Sequence, residues 1–106
     1  MRVTYETRQK ALVLYISGEL DHHAAHQALR ETGAILDEQM PLRCVLDLSG
    51  LSFMDSSGIA VVLGTYRRLK SYGGELAVSR APSHAAKVLS MAGVDRIVHI
   101  GAVVAP

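Results

Sequence analysis

The strongest constraint on this chain is a change of hydrophobic period that occurs three times: short apolar runs of strand character each give way to a segment whose apolar positions repeat every three or four residues. Val3 to Thr7 alternates at period two and reads as an edge strand, while Ala11 to Ile16 is nearly continuous and reads as a buried one. Arg8, Gln9 and Lys10 between them are few enough for a hairpin. From His22 to Gln39, positions Ala25, Ala28, Leu29, Thr32, Ile35 and Leu36 form a helical stripe, with Asp21 as its N-cap and Pro41 as its stop. Arg43 to Leu48 predicts the next strand, and SGLSFMDSSG reads as a loop. The helix that follows carries Ile59, Val62, Leu63, Tyr66 and Leu69 on one face and ends at Gly73-Gly74. Glu75 to Ser79 is a strand, Pro82 and Ser83 open a short helix ending at Gly93, and Arg96 to Ile100 makes a last strand.

Strands alternating with helices predict an α/β fold: a mixed, mostly parallel sheet with an N-terminal hairpin and right-handed crossover helices. With 106 residues, 49% of them hydrophobic and 20% charged, residues 1–106 fit one domain that can build its own core. The strand order stays open. Parallel strands place their strand-to-helix loops at one edge of the sheet, where ligands are usually met. Asp21 to His23, Ser52 to Ser57 and Ala81 to His84 are expected there, whereas the loops at Met40 and Gly73 read as structural.

Several function classes drop out. The formal net charge is +1 and the only basic cluster is Arg67, Arg68 and Lys70, too little for a nucleic-acid surface. The single Cys44 cannot make an internal disulfide and lies in the apolar run RCVLDL, so it reads as a buried thiol. MRVTYETRQK lacks the apolar core of a signal peptide, and no run approaches the roughly 18 apolar residues of a membrane span, which predicts a soluble, cytoplasmic protein. Ser56 or Ser57, a histidine (22, 23 or 84) and Asp21 or Asp55 could share an edge as in a hydrolase. The G-x-S-x-G elbow is absent, because Met54 and Asp55 stand where its first glycine belongs. His22 and His26 have metal-ligand spacing but no second pair, and neither phosphate-loop motif occurs. The expectation is no enzyme, no metal and no cofactor.

The segment MDSSGIAVVL has two readings. Asp55, Ser56 and Ser57 can each cap the helix that follows, since side-chain oxygens satisfy its free N–H groups. A serine there is also well placed to carry a phosphate, because those N–H groups and the helix dipole stabilise a dianion. Two adjacent serines exceed what a cap requires. Ala60, Val61 and Gly64 fall off the predicted core stripe and suggest a partner contact on an outer helix face.

Three strings carry a resemblance over nearly the whole chain. GELDHH at 18–23, LSFMDSSGIAVVLG at 51–64 and GGEL at 73–76 resemble the STAS family of anti-sigma factor antagonists, in particular its early-sporulation branch. The resemblance implies a binding module that, unphosphorylated, engages an anti-sigma factor with serine kinase activity and so frees a sigma factor. The kinase then phosphorylates Ser56, the serine after the aspartate of DSSG, and a metal-dependent phosphatase of the PP2C type reverses this. Asp21 is implied beside the phosphoacceptor and in the kinase contact. Asp55, Ser57, Gly58, Val61 and Gly64 complete the expected partner-binding set. The family commonly continues into a carboxy-terminal helix, whereas GAVVAP follows Ile100 here. The alternative is a STAS-like sensor or transport-accessory subunit that binds a nucleotide or lipid at the same edge and is never phosphorylated.

Overall fold

In the computed structural model, which describes residues 1–101, strands β1 (Arg2–Arg8) and β2 (Ala11–Leu20) form the expected antiparallel hairpin. Its turn residues Gln9 and Lys10 take φ of 50° and 66°, the paired left-handed conformations of a two-residue hairpin turn. Helix α1 (His22–Gln39), strand β3 (Arg43–Asp47), strand β4 (Leu51–Met54) and helix α2 (Ser57–Lys70) follow. Strand β5 (Glu75–Ser79), helix α3 (Ser83–Met91), a 3-10 turn (Val94–Arg96) and strand β6 (His99–Ile100) complete the described chain. The sheet order is β1-β2-β3-β5-β6, parallel throughout except for the β1-β2 pair, with β4 attached to β2. This is the mixed, mostly parallel α/β architecture that the alternating periods predict. None of its helices is long and apolar enough to cross a membrane, among the described residues.

Right-handed crossovers along a sheet that grows in one direction put their helices on one face. Leu12, Leu14 and Ile16 of β2, Cys44 and Leu46 of β3, and Leu76 and Val78 of β5 point into that core, while their neighbours Val13, Val45 and Ala77 are half-buried on the other face. The two long helices approach closely: a Cβ on Gly64 would come within 2.5 Å of Leu29 Cδ2. The buried hydroxyls between them are satisfied locally, Thr32 donating to the Ala28 carbonyl at 2.9 Å and Thr65 to that of Val61 at 2.8 Å.

Two elements differ from the sequence reading. LSFM, read as loop, is strand β4, because β2 is too long for β3 to pair in full. Leu12 to Tyr15 pair with Cys44 to Asp47, and from Gly18 onward β2 pairs with β4 instead, Gly18 with Leu51 and, past a register break between Gly18 and Glu19, Glu19 with Phe53 and Leu20 with Met54. Gly18 takes φ 88° at this change of partner, a conformation glycine adopts without a Cβ penalty. At the other end, the strand expected over Arg96–Ile100 is reduced to His99–Ile100. Buried Val94 and Val98 draw the preceding chain into a 3-10 turn instead.

The expected outer face of α2 is also corrected. Val61 is 0% exposed, Gly58 is buried, and Gly64 faces α1 rather than solvent. The buried stripe is Gly58, Val61, Val62, Thr65 and Leu69, with Ile59, Leu63 and Tyr66 half-buried beside it. Because α2 packs against both α1 and the sheet, its apolar arc is wider than one stripe, and Val61 belongs to it. Val61→Lys should therefore destabilise the domain by at least about 3 kcal/mol in urea unfolding, through an unpaired buried charge. An unchanged midpoint would place Val61 outside the core.

Cys44 is buried as expected, and that burial pushes its thiol from 9.0 up to about 12. At pH 8 the folded thiol should hold about a thousandfold less thiolate than an unfolded one and should react correspondingly slowly with a disulfide reagent until urea is added. Rapid native labelling would contradict this. Its contribution to stability should be constant below about pH 8.5 and decline as pH rises toward the folded value, since only the unfolded thiol ionises in that window.

Candidate functional site

The parallel pairing of β2 with β4 sets Leu20 opposite Met54, so the next residues of each strand, Asp21 and Asp55, leave the sheet side by side. The Asp55 N–H donates to the Leu20 carbonyl at 3.4 Å. Each aspartate opens a helix. Asp21, in extended conformation, accepts from the Ala24 N–H through Oδ1 at 3.0 Å and is the N-cap of α1 that the sequence predicts. Asp55 accepts from the Ser57 N–H through Oδ1 at 2.8 Å and from the His22 N–H through Oδ2 at 3.2 Å. One carboxylate thus serves the first turn of both helices, where the macrodipoles favour negative charge.

This arrangement changes the role of Ser56. Capping had been open to Asp55, Ser56 and Ser57 alike, but the side chain of Ser56 caps no N–H although it occupies the N-cap position. The next two amides of the turn are taken by backbone, Gly58 donating to the Asp55 carbonyl at 3.0 Å and Ile59 to that of Ser56 at 3.1 Å. Ser56 is exposed and Ser57 half-buried. The turn is pressed against the strand ends, since a Cβ on Gly58 would lie 2.4 Å from Met54 Cγ and 3.3 Å from Leu20 Cδ2. The result is a primary hydroxyl held at the edge of a rigid corner, between two helix N-termini.

Of the three loops expected at this edge, two are bonded to each other. The third, beginning at Arg80 (φ 57°), is anchored elsewhere: Arg80 reaches Asp47 at 3.7 Å, while Ala81 and Pro82 are buried. His22 and His23 are exposed, with ring centroids 5.7 Å apart and edge to face. Among the described residues no histidine bonds to either serine, and no three metal-capable side chains cluster. The corner can present a hydroxyl to an incoming reactant. A cavity of about 300 Å³ opens at the opposite end of the sheet, lined by Arg8, Val13, Arg43 and Val45 among others. Beside the corner the exposed apolar side chains are Phe53, 47% exposed, and Ala60. Phe53 carries no signal in the sequence, because the LSFM segment shows no strand period.

The model of the STAS domain family matches residues 2–105. An anti-sigma F factor antagonist of Paenibacillus polymyxa is 33% identical over 100 residues, covering 94% of this chain and 86% of that protein. An anti-sigma-B factor antagonist of Bacillus subtilis is 30% identical over 96% of this chain and 92% of its own. Among solved structures, the anti-sigma factor antagonist SpoIIAA in its unphosphorylated form superposes with a TM-score of 0.77 at 26% identity, over 95% of this chain and 89% of that one. The phosphorylated form of the Bacillus cell fate determinant SpoIIAA gives 0.70 at the same identity, over 95% and 92%. A family model matching residues 2–105, with relatives 33% and 30% identical over most of both chains, shows that the chain belongs to the STAS domain family.

Proposed function

We propose that this protein is an anti-sigma factor antagonist of the cytoplasm, controlled by phosphorylation of Ser56. In this reading the unmodified protein binds an anti-sigma factor that is also a serine kinase and thereby frees a sigma factor. The kinase transfers a phosphoryl group to the Ser56 hydroxyl and the complex dissociates. A PP2C-type phosphatase restores the binding form. This chain contributes only the acceptor oxygen and a docking surface, while the partner supplies ATP, metal ion and base.

The observation that carries the reading is the exposed Ser56 hydroxyl, relieved of capping by Asp55. A serine used as a cap would have to surrender that bond to react. The relatives point the same way, being named antagonists of anti-sigma factors, with SpoIIAA solved in both phosphorylation states. Asp21, Asp55 and Ser57 lie beside the acceptor and would form the docking edge, and exposed Phe53 and Ala60 would supply the apolar contact that buried Gly58 and Val61, and Gly64 against α1, cannot. Sporulation is the setting we propose, on the resemblance of GELDHH, LSFMDSSGIAVVLG and GGEL to the early-sporulation branch of the family.

Incubation with ATP and the cognate anti-sigma kinase should add one phosphate, located by mass spectrometry at Ser56. Ser56→Ala should take up none and remain bound to the kinase, and its stability should change by less than about 0.5 kcal/mol because the side chain makes no cap bond. Phosphate on another residue, or none in the wild type, would refute the assignment. Asp21 can be divided into its two roles. Asp21→Ala should lose a cap and about 0.5 to 2 kcal/mol, whereas Asp21→Asn keeps a capping oxygen and most of the stability. If the charge meets the kinase, Asp21→Asn should bind measurably more weakly at an unchanged melting temperature; unchanged binding would leave Asp21 as a cap alone.

A further inference from the structure

We infer that the Asp55 carboxylate is a positioning group that links the state of Ser56 to the first turn of α1. The inference rests on Ser56 carrying a phosphate, as proposed above, and concerns what that phosphate does inside the molecule. Both oxygens of Asp55 are engaged, Oδ1 by the Ser57 N–H at 2.8 Å and Oδ2 by the His22 N–H at 3.2 Å, across a separation of 33 positions in sequence. These are charge-assisted bonds to the first amides of two helices, so they tie the partner-facing loops together through one rigid planar group.

A phosphoryl group on Ser56 Oγ changes the competition for these donors. It brings about 1.5 to 2 negative charges next to an existing carboxylate, and it needs N–H donors. In the first turn of α2, Gly58 and Ile59 already donate to backbone carbonyls, which leaves the Ser57 N–H, now held by Asp55, as the donor to be won. Repulsion and competition both act to turn Asp55 away. Because its two oxygens move as one plane, loss of the Ser57 bond also withdraws Oδ2 from His22. The amide at the start of α1 is then opened to solvent, while Asp21 keeps its own bond to Ala24. Modification of one loop thereby alters the neighbouring loop without any change in the core.

The test is amide hydrogen exchange at His22, read by NMR in the full chain, with phosphoserine installed at position 56 during synthesis so that no kinase is needed. Failure of the kinase to recognise Ser56 would refute the proposed function yet leave this measurement intact. Phosphorylation should speed His22 exchange by about tenfold, as expected for one charge-assisted bond lost, with Ala24 unchanged. Asp55→Ala should show the faster exchange before modification and no further rise after it. Asp55→Asn, which retains a single acceptor oxygen for the two N–H groups, should leave one of the two amides exchanging faster than in the wild type and remain folded if Asp55→Ala is not. His22 exchange that ignores phosphorylation, or that rises equally in the Asp55 variants, would overturn the link.

Discussion

The inward face of β2 fixes most of what this molecule can do. Side chains alternate along a strand, so burying Leu12, Leu14 and Ile16 against the helices leaves one register for the hairpin and one for β3. A slip by one residue would turn Val13 and Tyr15 into the core and expose three large aliphatic side chains. The same strand then passes Gly18, changes partner and ends at Leu20, which is fully buried and paired with Met54. The position of Asp21 and Asp55, and through them of Ser56, is a consequence of that burial.

Much of this was legible in the sequence. The helical stripe from Ala25 to Leu36, bounded by Asp21 and Pro41, gives α1 its observed limits, and Glu75–Ser79 is the strand expected, because in both places period, cap and breaker agree. Strand β4 was hidden since a four-residue segment holding Ser52 and lying between serine- and glycine-rich stretches has no period to read. The sequence reading ends β2 at Ile16, whereas the strand runs ten residues to Leu20 against five in β3, and it is that unread extension that takes β4 as its partner. Val61 was misplaced for a related reason. A single stripe describes a helix with one neighbour, and α2 has two. The double use of Asp55 depends on the β2-β4 register and was beyond reach from spacing alone.

Capping physics accounts for a free serine in a place where serines are usually occupied. A helix start offers several N–H groups, and a neighbouring aspartate with a formal charge outcompetes a neutral hydroxyl for them. Asp55 takes the side-chain-accessible donor, the backbone closes the rest of the turn, and Ser56 is left exposed at no cost in satisfied bonds. Gly58 lets this turn lie directly on Met54, so the hydroxyl is fixed relative to the sheet. Under the proposed function a docking partner would meet a preformed edge, with little ordering energy lost on binding.

In the proposed switch, charge on Ser56 sets partner affinity. Beside Asp21 and Asp55 the phosphate adds to an already acidic edge. One acidic group of the partner about 6 Å away, at an effective dielectric constant of about 40 to 80, would be repelled by roughly 1 to 3 kcal/mol. The direct measurement is calorimetric titration of the ADP-loaded anti-sigma kinase with the unmodified protein and with protein phosphorylated at Ser56. The phosphorylated form should bind about 5 to 150-fold more weakly. Equal affinities would contradict the switch, even with Ser56 established as the acceptor.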